Sequence, residues 1–285
     1  MKKYLSLIRF SHSIFAIPFA LIGFFLAETG PEGPIPVSWI KFILMLACMV
    51  FARSAAMSFN RYLDRDIDAK NPRNQNREIP KGIISPKQAL IYTLVNAFLF
   101  IVCTAFINTL CLALSPVALF VVLGYSFTKR FTSLCHFVLG LGLALAPIGA
   151  YLVVTGHFAL LPVLFSLSVL TWVSGFDILY ALPDEEFDKK ENLHSIPALL
   201  GKPGAILLTR ILHTLSAGFI ILAGIIGHFH ALYWIGVLFY AGLLVYQNLI
   251  VKPQDLSKLN LAFFTLNGIA SLVFAGFFLA DHFLF

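Results

Sequence analysis

Apolar runs of about twenty residues recur from one end of this chain to the other, and that recurrence leaves few folds open. Nine such runs can be marked, at roughly 12–28, 37–59, 88–107, 109–127, 132–154, 159–181, 204–227, 230–250 and 260–280. A helix crossing a bilayer needs ~20 apolar residues. Backbone in lipid must satisfy its own hydrogen bonds, which a helix does within one segment. The expected fold is therefore all-α: a polytopic membrane protein with nine transmembrane helices around a central cavity. Only 12% of the 285 residues are charged, against about 25% in a soluble domain. That excludes a sizeable soluble domain and makes residues 1–285 one transmembrane domain. The 29 Phe give that domain an unusually aromatic lipid-facing or cavity surface.

Charge sets the expected orientation. All Lys and Arg except Lys41, Arg53 and Arg210 fall in segments 1–11, 60–87, 128–131, 182–203 and 251–259. The alternate connections, near 29–36, 108, 155–158, 228–229 and 281–285, carry none. Basic loops stay cytoplasmic, so the N-terminus is expected inside the cell and the C-terminus outside, as an odd span number requires. The net charge of +6 is then a topology signal, with no nucleic-acid partner implied. Lys41, near the outer end of the second span, is expected to snorkel. Cys48, Cys103, Cys111 and Cys135 lie in apolar runs without a C-x-x-C pair, which predicts packing residues and no disulfide. Lys2, Lys3 and Arg9 precede the first run as in a signal peptide, but eight further spans make it an ordinary membrane helix. The expected location is the cell inner (plasma) membrane, with the bilayer as surroundings and no obligate protein partner.

Two acidic clusters interrupt this apolar pattern, Asn60-Arg-Tyr-Leu-Asp64-Arg-Asp-Ile-Asp68 and Tyr180-Ala-Leu-Pro-Asp184-Glu-Glu-Phe-Asp188. Asn60, Asp64 and Asp68 match Tyr180, Asp184 and Asp188 at a constant offset of 120 positions. Both clusters fall on the cytoplasmic side of a topology derived from Lys and Arg alone. Each loop continues to an Ile-Pro pair and then Gly82 or Gly201. These parallels predict two pseudo-repeated halves, about 12–130 and 132–250, plus a ninth helix. Residues four apart share a helix face, so Asn60, Asp64 and Asp68 should form a stripe at the end of the second span, with Arg53 two turns deeper. Pro183 should kink or restart the helix in the second cluster. Ser85-Pro86-Lys87-Gln88 spells a capped helix start. Hard carboxylate ligands favour Mg²⁺ or Ca²⁺, and Mg²⁺ commonly binds through one or two carboxylates plus substrate phosphates. Asp64, Asp68, Asp184 and Asp188 in two pairs, without His or Cys inside either motif, suit two Mg²⁺ ions bridging a diphosphate. Arg61, Arg65, Arg73, Arg77, Lys81, Lys189 and Lys190 supply loop cations for phosphate oxygens.

These residues carry a resemblance. N-R-Y-L-D-R-D-I-D, then R-N-Q-N-R-E-I-P, then D-I-L-Y-A-L-P-D-E-E-F-D are similar to the UbiA superfamily of intramembrane aromatic prenyltransferases, over essentially the whole chain. The branch most resembled is the 4-hydroxybenzoate polyprenyltransferases and their menaquinone-pathway relatives. The resemblance maps the family's N-x-x-x-D-x-x-x-D motif onto Asn60, Asp64 and Asp68 and its D-x-x-x-D motif onto Asp184 and Asp188. It implies that these hold Mg²⁺ and an isoprenyl diphosphate. The family's upstream arginine falls at Arg53, its loop arginines at Arg73 and Arg77, and its D-x-x-Y-A element at Asp177, Tyr180 and Ala181. Some relatives carry extra aspartate where Glu186 and Phe187 stand, so Phe187 is left out and Glu186 has no assigned role. The implied partners are a polyprenyl diphosphate and an aromatic acid. The acceptor stays open between 4-hydroxybenzoate and a naphthoate-like or deoxyfutalosine-derived acid. The Phe-Asp-Ile-Leu-Tyr-Ala and Phe-Asp-Lys-Lys segments lean towards the latter by resemblance.

Several single residues carry two readings. Arg53 pairs either with a substrate benzoate or diphosphate, or structurally, for instance with Asp177. Asp177 acts either as base toward the acceptor or as partner to a basic residue. Lys129, after Tyr125, either reaches the diphosphate or marks topology with Arg130. Lys190 and Tyr180 are expected at the substrate. His12, His136 and His213 are read as packing or interface residues, His194 as a solvated loop residue, and His157, His228, His230 and His282 as remote from the chemistry. The expected reaction ionises an allylic C–O bond, lets the electron-rich ring attack, and releases a ring proton, with Phe and Tyr faces stabilising the cation. An anion transporter fits less well, because the acidic groups gather at one face and leave the midplane poor in charge. A CDP-alcohol phosphotransferase fits less well because its aspartates form one continuous motif with a D-G pair, absent here.

Overall fold

The computed structural model describes residue 7, residues 15–29, residue 36 and residues 38–285. Among these the regular structure is helical, apart from one isolated bridge between Lys252 and Asp255. The helices are α1 (Ile17–Leu26), α2 (Trp39–Leu63), α3 (Arg65–Lys70), α4 (Pro86–Ala105), α5 (Thr109–Thr128), α6 (Cys135–Thr155), α7 (Leu160–Ala181), α8 (Glu185–Lys190), α9 (Ile196–Ile226), α10 (Ala231–Ile250) and α11 (Asn267–Leu284). A 3₁₀ turn, Leu182–Asp184, joins α7 to α8, and a π-helical turn, Leu261–Leu266, leads into α11. Eight segments among the described residues are long and apolar enough to cross a membrane, and α1 is a shorter apolar helix inside the first expected span. Each of the nine expected spans thus has a helix. Segment 1–11 and His12 lie outside the described residues, apart from Leu7, as does most of the expected outer loop Thr29–Pro36.

Local chemistry sets the helix ends. Ser85 Oγ accepts from Gln88 N at 3.2 Å while Gln88 Oε1 accepts from Ser85 N at 3.1 Å, the reciprocal cap expected from sequence. Asn108 caps α5 and Ser195 caps α9 through their side chains. Gly156, at φ +70°, closes α6 in the left-handed region that favours glycine. Lys41 does not simply snorkel: its Nζ donates to the Val154 carbonyl at 3.0 Å, near the end of α6.

Helix α7 is the axis of the bundle. It packs between α6 and α9, while α2 lies on α4, α10 on α11, and α1 on α6 and α11. Lipid tails give no hydrophobic reward for helix association, so membrane helices meet through small residues and interhelical hydrogen bonds. Both devices are present. Gly140 lets α6 close on Leu170 and Ser174 of α7, and Gly23 lets α1 close on the backbone of Pro147 in α6. Ser168, Ser216 and Tyr240 link α7, α9 and α10 through hydroxyl contacts of 2.9 Å. Trp172 Nε1 donates to Asn267 Oδ1 at 2.9 Å. Phe19, Phe165, Trp172, Tyr233 and Phe274 fill the core. The outside is apolar too, with Phe120 at 79% and Leu238 at 75% exposure, as lipid-facing residues should be.

A Cβ at Gly23 would overlap the Pro147 carbonyl, whereas one at Gly124 meets no atom within 4 Å. Gly23→Ala is therefore expected to cost about 1–3 kcal/mol through overpacking. Gly124→Ala should be neutral, with thermal unfolding in detergent as the readout.

Candidate active site

Both acidic motifs are built the same way. A membrane helix ends, the central aspartate sits just outside the helical region, and a helix of six residues follows. Asp64 has φ −88° and ψ 4°; Asp184 has φ −90° and ψ 2°. Pro183 accounts for the break in the second motif, as expected. The matching break at Asp64 was not expected, since that stripe reads as continuous helix. The i→i+4 bonds Asp64 N→Asn60 O and Asp68 N→Asp64 O bridge it, at 2.9 and 2.7 Å, and keep the stripe together. The last aspartate of each motif is buried: Asp68 is 2% exposed and Asp188 0%.

Each motif aspartate has its own cation. Arg130 Nη2 donates to Asp64 Oδ1 at 2.9 Å, and Asn60 Nδ2 donates to the other oxygen at 2.8 Å. Arg77 Nη1 donates to Asp68 Oδ1 at 2.6 Å. Arg73 Nη1 donates to Asp184 Oδ2 at 2.9 Å, and Lys129 Nζ lies 2.7 Å from Asp188 Oδ1 as an ion pair. Two contacts stitch the motifs together. Asn71 and Arg73, from the loop after the first motif, both bond Asp184 of the second. Lys70 meets Glu191 at 2.6 Å further out, and the His194 N–H donates to the Lys129 carbonyl. Burial pushes the Asp64 carboxyl above its ordinary range, and the adjacent Arg130 pulls against that rise.

Arg73 also lies 4.3 Å over the Tyr180 ring, whose other neighbour is Phe263 of the π-helical turn, stacked at 4.0 Å. Phe176, Phe15 and Trp172 continue this aromatic column into the bundle. One turn below Tyr180, Asp177 Oδ2 bonds His136 Nδ1 at 2.7 Å. His136 Nε2 accepts from the Ile196 N–H at 3.3 Å, so the hydrogen-bond network assigns the proton to Nδ1, pointing at Asp177.

The structure therefore gathers Asn60, Asp64, Asp68, Arg73, Arg77, Lys129, Tyr180, Asp184 and Asp188 at one end of the bundle. Asp177 takes His136 as partner, and among the described residues no ion pair between Arg53 and Asp177 is seen. Arg53 is half-buried on α2, with Tyr125 among its electrostatic neighbours. Lys190 is exposed at the end of α8, two residues after Asp188. Arg130, Asn71 and His136 are the site residues that sequence reasoning missed. Arg130 was hidden in a Lys-Arg pair that reads as topology, Asn71 in a turn before Pro72, and His136 in an apolar helix.

The donor set can be tested against a divalent cation. Among the described residues, no three His, Cys, Asp or Glu side chains converge into a closed metal cage. Asp68 Oδ2 and Asp188 Oδ2 are nevertheless buried without a hydrogen bond. Such orphaned carboxylate oxygens, one in each motif, fit an ion that takes one or two carboxylates and completes its shell with phosphate and water.

Comparison with known proteins gives a consistent set. The model of the UbiA prenyltransferase family matches residues 16–269. The chain is 30% identical over 240 residues to the 4-hydroxybenzoate octaprenyltransferase of Aliivibrio fischeri strain MJ11, covering 83% of this chain and 82% of that protein. The apo structure of a UbiA homolog from Aeropyrum pernix K1 superposes with a TM-score of 0.85 at 29% identity, covering 95% of this chain and 98% of that one. A UbiA homolog from Archaeoglobus fulgidus bound to GPP and Mg²⁺ shares the fold with a TM-score of 0.72 at 21% identity, over 99% and 100% of the two chains.

Removing one partner of a buried ion pair leaves the other uncompensated. Lys129→Met is expected to lower stability by about 1–3 kcal/mol, a range that allows for the partial exposure of Lys129. Lys129→Met combined with Asp188→Asn should recover most of the loss in the same detergent melting assay.

Proposed function

The chain belongs to the UbiA prenyltransferase family, and on that premise we propose that it transfers a polyprenyl group from a polyprenyl diphosphate to the ring of an aromatic acid in respiratory quinone biosynthesis. The observation that carries this reading is the joining of the two motifs: Asn71 and Arg73 reach across 113 and 111 positions to Asp184. Two acidic loops far apart in sequence thereby make one site, at one end of an apolar bundle. The curated relative from Aliivibrio fischeri, named for octaprenyl transfer to 4-hydroxybenzoate, supports the same class of donor and acceptor. We place the site and the N-terminus in the cytoplasm and the C-terminus outside, because the site lies among the set of alternate connections that holds all the Lys and Arg except Lys41, Arg53 and Arg210.

Asp64, Asp68, Asp184 and Asp188 would hold Mg²⁺. That ion supplies charge neutralisation of the leaving diphosphate. The chain's own residues do the rest. Arg73, Arg77, Lys129 and Arg130 each hold a motif carboxylate, so an arriving diphosphate exchanges their partner from carboxylate to phosphate oxygen. The charge census changes little, and the cations end where negative charge grows as the allylic C–O bond breaks. Asn60 holds Asp64 in line, and Arg73 is held over Tyr180 by stacking. The Tyr180–Phe263–Phe176 column lines the route from the diphosphate into the bundle; its faces stabilise an allylic cation and exclude water. Arg53 is positioned to pair with an anionic group of either substrate. Asp177, oriented by the His136 N–H, accepts a proton from the acceptor's hydroxyl or ring. The matched breaks at Asp64 and Asp184, and the left-handed Gly82 and Gly201 at φ +72° and +69°, support two pseudo-repeated halves with a ninth helix appended.

Purified protein with Mg²⁺ and a short prenyl diphosphate is expected to prenylate an aromatic acid, read by mass spectrometry across 4-hydroxybenzoate, naphthoate-like and deoxyfutalosine-derived acceptors. Chelation of the metal should abolish turnover. Asp64→Asn and Asp184→Asn should each lower it about a hundredfold or more. Turnover that survives both substitutions would sink the metal-site assignment.

A separate series addresses His136. His136→Ala should lower kcat about tenfold or more while KM for the prenyl diphosphate stays near wild type. His136→Gln, whose amide can accept from Ile196 and donate to Asp177, should restore most of the rate. A merely structural His136 would instead lower stability and move both parameters together.

A further inference from the structure

Arg210 is the only Lys, Arg, Asp or Glu between positions 203 and 226, within the membrane-crossing part of α9. It is exposed on the outer face of the helix, beside Leu207, Ile211 and Leu215, which are 59%, 50% and 47% exposed. Among the described residues no carboxylate lies within ion-pair distance of its guanidinium. A cation on a lipid-facing surface is costly unless it reaches the interface or a counter-charge.

The geometry says which interface it reaches. Helix α9 is broken at Gly201, at φ +69°, and runs on from there to Ile226. Arg210 stands nine residues past the break, or about 13 Å at 1.5 Å per residue. Side chains on a helix lean toward its N-terminus. Arg210 therefore leans toward the membrane face that carries the acidic loops. Arg210, Ile211, Thr214 and Leu215 line a shallow depression of about 260 Å³ there.

A second basic group stands at the end of the neighbouring helix α10. Ile250 and Val251, at the end of α10, belong to one hydrophobic cluster with Ala205, Ile206 and Leu208 of α9. That packing sets the exposed Lys252 beside the α9–α10 seam. The turn after α10 holds Lys252 and Lys258 against the single carboxylate of Asp255, so the patch is net positive. Apolar walls below and fixed cations above match a lipid, whose tails lie along Leu207, Ile211 and Leu215 and whose phosphate sits at the top. Basic pockets between membrane helices hold anionic headgroups in this way.

We propose that the α9–α10 seam binds an anionic phospholipid, with Arg210 and Lys252 on its phosphodiester. Neither Arg210 nor Lys252 belongs to the acidic motifs, and the site does not depend on their chemistry.

The test is native mass spectrometry of the full-length protein, purified in neutral detergent and titrated with phosphatidylglycerol or phosphatidylcholine. The wild type should retain phosphatidylglycerol over phosphatidylcholine. Arg210→Gln should weaken that retention about fivefold and Arg210→Gln with Lys252→Gln about thirtyfold. Arg210→Lys should keep most of it. Lys87→Gln, an exposed cation at the start of α4, should change nothing. Equal retention in wild type and Arg210→Gln overturns the proposal, as does equal loss in Lys87→Gln. Displacement of the lipid by an equal concentration of inorganic phosphate makes this a free-anion site and also overturns it. A change of oligomeric mass in Arg210→Gln with lipid retention unchanged would mark an interface between copies instead.

Discussion

A carboxylate at the edge of a hydrocarbon layer cannot rely on water to stay ionised. Everything at the charged-loop end of this molecule follows from that constraint. Asp68 and Asp188 are buried almost completely, and each is tolerated because a cation from elsewhere in the chain comes to it, Arg77 from the same loop and Lys129 from the end of α5. Asp64 and Asp184 are met by Arg130 and Arg73. These pairs are the fasteners of the loop layer, since Arg73 ties the first loop to the second motif and Arg130 ties α5 to the first. Coulombic repulsion among the carboxylates would otherwise drive the two loops apart. The same arrangement gathers four cations beside the four motif carboxylates.

Much of this was legible in the sequence. The spans, the Ser85 cap, the restart at Pro183 and the grouping of two acidic motifs at one membrane face all rest on local rules: apolar length, capping chemistry, proline geometry and loop charge. What stayed hidden was pairing. Arg130 beside Lys129 looks like two topology charges, and only the fold separates them, sending Lys129 to Asp188 and Arg130 to Asp64. His136 sits in an apolar helix, and nothing in its neighbours reveals that α7 and the start of α9 converge on its two ring nitrogens. The break at Asp64 was invisible because no proline announces it there, as one does before Asp184.

The bundle beneath the loops follows a different economy. Its helices are held by glycine contacts and by hydroxyl, amide and indole hydrogen bonds, because apolar packing alone gains little against lipid. Close approach at Gly23 and Gly140 brings backbones together, and the Ser168–Ser216–Tyr240 contacts fix the depth at which they meet. Rigid helices on these contacts give the mobile-ended charged side chains above them a fixed base.

The π-helical turn at Leu261–Leu266 solves a problem of phase. Each extra residue in a helix rotates all that follows by about 100°. By widening one turn, the chain can aim Phe263 at Tyr180 and still deliver Asn267 to Trp172 and Phe274 to the core. The Ala262 carbonyl there accepts from both Gln247 and Asn267. The turn works as a gear between two layers with different requirements: above it the sequence answers to the charged loops, and below it to the apolar bundle. A one-residue deletion in this segment would leave every side chain chemically intact and yet turn the final helix out of register with one layer or the other.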